Sequence, residues 1–82
     1  MISMKFLVDA MLGRLARFLR IFGYDTLYAN DLEKYYGMNP ISDKKLLEHA
    51  LRENRILITR DYSFYKKARP ISIYIKGEGV YN

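Results

Sequence analysis

The sequence predicts an α/β domain with a small parallel sheet of about four strands. Three observations predict it. The apolar runs Lys5–Val8 and Ile56–Thr59 are short enough for buried strands. The segments after Ala10 and after Ser42 repeat their apolar residues at helical spacing. The order reads strand, helix, strand, loop, helix, strand, helix, strand, and such alternation implies parallel strands joined by right-handed crossovers.

Taken in order, residues 5–9 are the first strand, closed by Asp9. From Met11 the period changes, and Leu12, Leu15, Ala16, Leu19 and Phe22 fall within an arc of roughly 120°, a core-facing stripe. Arg14, Arg17 and Arg20 project from the opposite side, and Gly23 follows as the stop. Residues 25–30 read as a second strand through Thr26, Leu27 and Tyr28. Residues 31–41 contain Gly37, Asn39 and Pro40 and show no period, which predicts a loop. Ser42 then caps a helix from Asp43 to about Glu53, with Leu47, Ala50 and Leu51 inward and Leu46 at the margin. Asn54 ends it, residues 55–59 form the third strand, 62–68 a short helix and 71–75 a fourth strand before a glycine-containing tail. No internal repeat, low-complexity segment or domain boundary interrupts residues 1–82, so one domain is expected.

Composition narrows the class. Half of the 82 residues are hydrophobic and 15% are aromatic, which describes a globular chain. So small a domain buries a limited core, and without cysteines neither disulfides nor thiolate zinc sites can supplement it, which makes a homo-oligomer plausible. No apolar run approaches the roughly 20 residues of a membrane span. The first ten residues carry Asp9 within their apolar stretch and lack a cleavage pattern, so the expectation is a cytoplasmic protein. With 14 basic and 9 acidic residues the net charge is +5, which favours polyanionic partners, nucleic acid first.

Asp9, Asp43 and Asp61 carry the strongest chemical signal. Asp9 and Asp61 follow the two apolar strands, and Asp43 opens a helix within about 40° of Leu47, turned inward. In a parallel sheet, strand ends and helix starts share one edge. Three carboxylates there repel one another unless a cation or shared protons compensate. Aspartate suits Mg²⁺ or Mn²⁺, and such ions serve phosphodiester hydrolysis. Taken singly, each of the three also fits a cap or a helix-dipole residue. Asp31, just beyond the second strand, is a candidate fourth acid, whereas Asp25 belongs to the opposite end.

The basic residues fit a phosphate-bearing substrate. Arg14 and Arg17 form a ridge beginning near Asp9, Arg20 extends it, and Arg60 precedes Asp61. Arginine suits bidentate phosphate contacts, although a solvated helix face would use the same residues. Gly13, on the same exposed side, either lets a substrate backbone approach or is a small residue tolerated near a helix start. Lys66 and Lys67 read as a solvated face. Tyr35, Tyr36, Tyr62 and Tyr65 offer rings that stack on bases or complete a small core. His49 falls off the apolar stripe of its helix and reads as a solvent residue, and no histidine lies near the acids.

The segment from Phe6 through Asp9, Arg14, Arg17 and Arg20 to Asp25 resembles the opening of the Mut-seven C-terminal RNase domains, a PIN-like group. Asp43 with Leu46, Leu47 and Ala50 is similar to their second acidic segment, and Thr59-Arg60-Asp61 after a buried strand to their third. The resemblance spans about residues 4–75. It implies a PIN-like three-layer α/β/α fold and metal-dependent cleavage of RNA. It makes Asp9, Asp43 and Asp61 the ligands of Mg²⁺ or Mn²⁺, and Arg14, Arg17 and Arg60 contacts to substrate. Members often continue into further elements and a cysteine-rich zinc ribbon, so the resemblance leaves open a short variant, a fragment of a longer protein or an assembly-dependent subunit. The alternative is a catalytically inert nucleic-acid-binding or assembly module with the same fold. A receiver-like signalling domain ranks last, because the spacing of strands and helices is too short for it.

Overall fold

The computed structural model describes residues 4–76. Strands β1 (Lys5–Val8), β2 (Asp25–Tyr28), β3 (Ile56–Thr59) and β4 (Ser72–Tyr74) form one sheet in the order β2-β1-β3-β4, with every pairing parallel. Residues 29–36, 43–53 and 62–68 form α2 (Ala29–Tyr36), α3 (Asp43–Glu53) and α4 (Tyr62–Ala68). Residues 13–21 form α1 (Gly13–Ile21), preceded by a 3₁₀ turn, Ala10–Leu12. The expected three-layer α/β/α architecture is present.

Alternation along the central strands builds the two cores. Leu7 and Leu57 face α2, α3 and α4, packing on Ala29, Leu32, Leu46, Ala50, Phe64 and Ala68. Phe6, Val8 and Ile58 face the other way, onto Leu12 and Ala16 of the first helical segment. Asp9 and Thr59 continue the alternation at the strand ends, on the α3–α4 side of the sheet.

The segment expected as a loop contains α2. The Asp31 carboxylate reaches back to the Tyr28 backbone N–H at 3.3 Å, satisfying a donor at the helix start. Leu32 and Tyr36 then fall one turn apart against the core, and Gly37 ends the helix at φ 65°. Ala29 and Asn30, expected in the second strand, belong to this helix. Asn, Asp and paired Tyr are mediocre helix formers, so packing rather than propensity makes this element.

Helix α3 has its expected bounds and Ser42 cap, but its buried face is Leu46, His49 and Ala50, with Leu51 56% exposed. His49 is therefore a core residue and not a solvent one. The Tyr36 hydroxyl, supplied by α2, lies 2.6 Å from His49 Nδ1 and makes that burial tolerable. Phe22, expected in the inward stripe of α1, is 74% exposed because the helix stops at Ile21 and leaves it as the cap.

Arg55 ties down the opposite edge of the sheet. Its buried guanidinium donates to the carbonyls of Phe6 and Asp25, both at 3.2 Å, and pairs with Asp25 at 3.0 Å and Glu53 at 2.6 Å. Asp25 thus lies away from the acid edge, as expected. The glycine-containing tail lies outside the described residues. No helix among the described residues is long and apolar enough to cross a membrane.

Candidate active site

Asp9 is the buried member of the acidic trio. The chain leaves β1 at Val8, so the carboxylate sits at the strand end, where it is 9% exposed. Its Oδ1 accepts from the Ala10 N–H at 2.8 Å and its Oδ2 from the Thr59 hydroxyl at 2.7 Å. Thr59 Oγ in turn accepts the Asp61 N–H at 3.0 Å. One hydroxyl thus joins the ends of β1 and β3. Thr59 is fully buried, and its role as the partner of Asp9 is not assigned from sequence; its signal is a polar residue closing an otherwise apolar strand.

Asp61 caps α4, its Oδ1 accepting from the Phe64 N–H at 3.2 Å. Asp43 opens α3 and lies about 20° from Ala50 around the helix axis, so the inward turn expected for it survives the corrected helix face. Partial burial raises the Asp43 carboxyl above its ordinary value, the charges of Asp9 and Asp61 raise it further, and Lys67 opposes them. Asp43 therefore feels the charges of Asp9, at the end of β1, and Asp61, at the start of α4. Lys67, read as a solvated residue, lies close enough to temper that repulsion.

Asp31 is engaged differently. It takes the Arg20 guanidinium at 2.7 Å while capping α2, and Arg20 also donates to the Thr26 carbonyl at 3.0 Å. That pair fastens the C-terminal part of α1 to β2 and α2. It does not act on Asp43, whose neighbouring charges are Asp9, Asp61 and Lys67.

Against α1, on the other face of the sheet, lies an open groove of about 600 Å³ lined by Gly13, Arg14, Ala16, Arg17, Arg20 and Tyr28. The Tyr28 hydroxyl donates to the Ala10 carbonyl, so the groove begins next to Asp9. A Cβ at Gly13 would stand 3.0 Å from that hydroxyl oxygen. The missing side chain admits the Tyr28 ring rather than a substrate backbone. Arg14, Arg17 and Arg60 take part in none of the ion pairs among the described residues.

Among the described residues, no three His, Cys, Asp or Glu side chains stand as a ready-made metal-binding group. The donors nonetheless suit a hard divalent cation in kind: carboxylate oxygens with lone pairs to spare, two of them on exposed side chains. No curated protein and no solved structure gives a significant match to the chain. The model of the Mut7-C RNAse domain matches residues 4–80, which include Asp9, Asp43 and Asp61 together with the arginine groove. The chain belongs to the Mut7-C RNAse domain family.

Proposed function

We propose that the protein is a metal-dependent ribonuclease that hydrolyses RNA phosphodiesters, with Asp9, Asp43 and Asp61 holding a Mg²⁺ or Mn²⁺ ion. The observation that carries this reading is that Thr59 joins Asp9 to the Asp61 backbone at the ends of β1 and β3, while Asp43 at the start of α3 bears the repulsion of both carboxylates. Such repulsion is relieved by a cation. When bound, a divalent ion there would neutralise charge on the phosphate and activate a water. Family membership supports the ribonuclease class.

The protein groups have separable tasks. Asp9 is the fixed point, because two hydrogen bonds hold its rotamer. Asp43 and Asp61 are exposed, with Asp61 also capping α4. Arg14 and Arg17 bind phosphates along the groove, and Arg60, between Thr59 and Asp61, holds the phosphate nearest the acids. Arg20 acts indirectly, keeping α1 in place through Asp31.

A second reading, an inert RNA-binding or assembly module, draws on one observation: both Asp9 oxygens already accept protein hydrogen bonds. Cleavage of labelled RNA in Mn²⁺ separates the two. The expected result is cleavage that a chelator stops and that Asp9→Asn lowers by about 100-fold or more, as for loss of a group central to transition-state charge. Equal cleavage by wild type and Asp9→Asn would point to contamination and sink the enzyme. Absence of Asp-dependent Mn²⁺ binding in calorimetry would favour the inert module.

A further inference from the structure

Eight tyrosines serve this small chain, and the structure divides them. Tyr28 and Tyr36 pack against the two cores, and Tyr35 lies edge-on to Tyr36 and His49 at the far end of α2. Tyr62, Tyr65 and Tyr74 belong to neither core. They form their own triangle, with ring centroids 5.8 Å apart for Tyr62–Tyr65, 5.3 Å for Tyr62–Tyr74 and 5.7 Å for Tyr65–Tyr74. Tyr62 is 55% exposed. Lys66 stands over the Tyr62 ring at 5.6 Å and Arg69 over the Tyr65 ring at 5.9 Å.

The position of this triangle follows from the sheet. Tyr74 is the register partner of Thr59, so both side chains leave the same face on neighbouring strands, about 4.8 Å apart. Thr59 is the residue that bonds Asp9. Tyr62 directly follows Asp61. The tyrosines therefore flank the acids on the β4 side, while the arginine groove flanks them on the β2 side. A strand crossing this edge of the sheet would meet arginines, then carboxylates, then rings rimmed by cations.

We propose that Tyr62, Tyr65 and Tyr74 are a base-stacking platform, and that the substrate is consequently single-stranded RNA. Each base has a π-face that a tyrosine ring can meet, and only unpaired bases present it. Lys66 and Arg69 supply the positive rim that a sugar-phosphate chain requires, and the net charge of +5 suits a polyanion over an apolar protein partner. The proposal rests on the ribonuclease reading for the cut made beside the platform, but binding by the platform stands apart from turnover.

The test measures anisotropy of a short labelled single-stranded oligoribonucleotide in chelator, where cleavage does not interfere. Tyr62→Ala is expected to weaken binding by about 5- to 150-fold, the range for one lost base–aromatic stack, and Tyr62→Phe to bind as wild type. An abasic strand of equal length and a duplex are expected to bind more weakly than the base-bearing single strand. Unchanged binding by Tyr62→Ala with an unchanged circular dichroism spectrum overturns the platform, as does equal affinity for abasic or duplex RNA. The two readings fail separately. Tyr62-dependent binding without Mn²⁺-supported cleavage sinks only the enzyme, whereas Asp9-dependent cleavage indifferent to Tyr62 and to the bases sinks only the platform.

Discussion

Asp43 and Glu53 occupy the two ends of α3, and their environments push them in opposite directions. Partial burial and the charges of Asp9 and Asp61 raise Asp43, so its folded form holds the proton more tightly than the unfolded chain does. Its contribution to stability is complete below 3.8, the ordinary value, and is lost as pH rises through the raised one. Glu53 is lowered, first by its hydrogen bond from Arg55. Its contribution is present above 4.5 and lost as pH falls through the lowered value. Without metal, Asp43→Asn is therefore expected to be slightly more stable than wild type, by about 0.2–1 kcal/mol for relief of exposed charges, with the gap opening as pH rises past 3.8 and level once Asp43 is fully ionised. A pH series of thermal melts in chelator checks this, and a gap that shrinks with pH would refute it.

At the scale of elements, α3 ends on Asn54, a non-glycine residue at φ 56°. Asn54→Ala is expected to destabilise by about 1 kcal/mol, because Ala lacks the polar side chain that lets Asn tolerate this region, while Asn54→Gly stays within a few tenths. Denaturant midpoints of the two variants measure the difference. The bounds of α3 and the places of α1 and the four strands were legible because caps, glycine stops and apolar runs are local signals. Two features were not. Helix α2 draws on Leu32 and Tyr36 meeting residues of α3 and on Asp31 capping from within, none of which propensity weighs. The rotation of α3 depends on a partner for His49, and Tyr36 could offer its hydroxyl only once α2 was a helix. One missed element thus produced the second error.

For the whole molecule, the acidic edge was legible in outline. Asp9, Asp43 and Asp61 were identifiable because strand ends and helix starts share an edge in any parallel sheet. The bond from Thr59 to Asp9 and the meeting of Tyr74 with Tyr62 and Tyr65 were not, since both depend on register between strands far apart in sequence. If the trio holds a cation, metal binding is linked to folding. Mg²⁺ or Mn²⁺ at ten times its Kd is then expected to stabilise the wild type by about 1.4 kcal/mol, several degrees in Tm. Asp9→Asn and Asp61→Asn should lose most of that gain in a thermal-shift titration, and equal shifts in all three proteins would count against the site.

The bond between Asp9 and Thr59 joins residues 50 apart in the chain. Contacts of that separation form late, because the intervening loop must be closed before they return any stabilisation. β1 and α1 emerge from the ribosome first, yet Asp9 waits for its hydroxyl partner until β3 has been made. On the proposed reading, a growing chain that presents the arginine ridge to nearby RNA would carry no assembled acids with which to cut it.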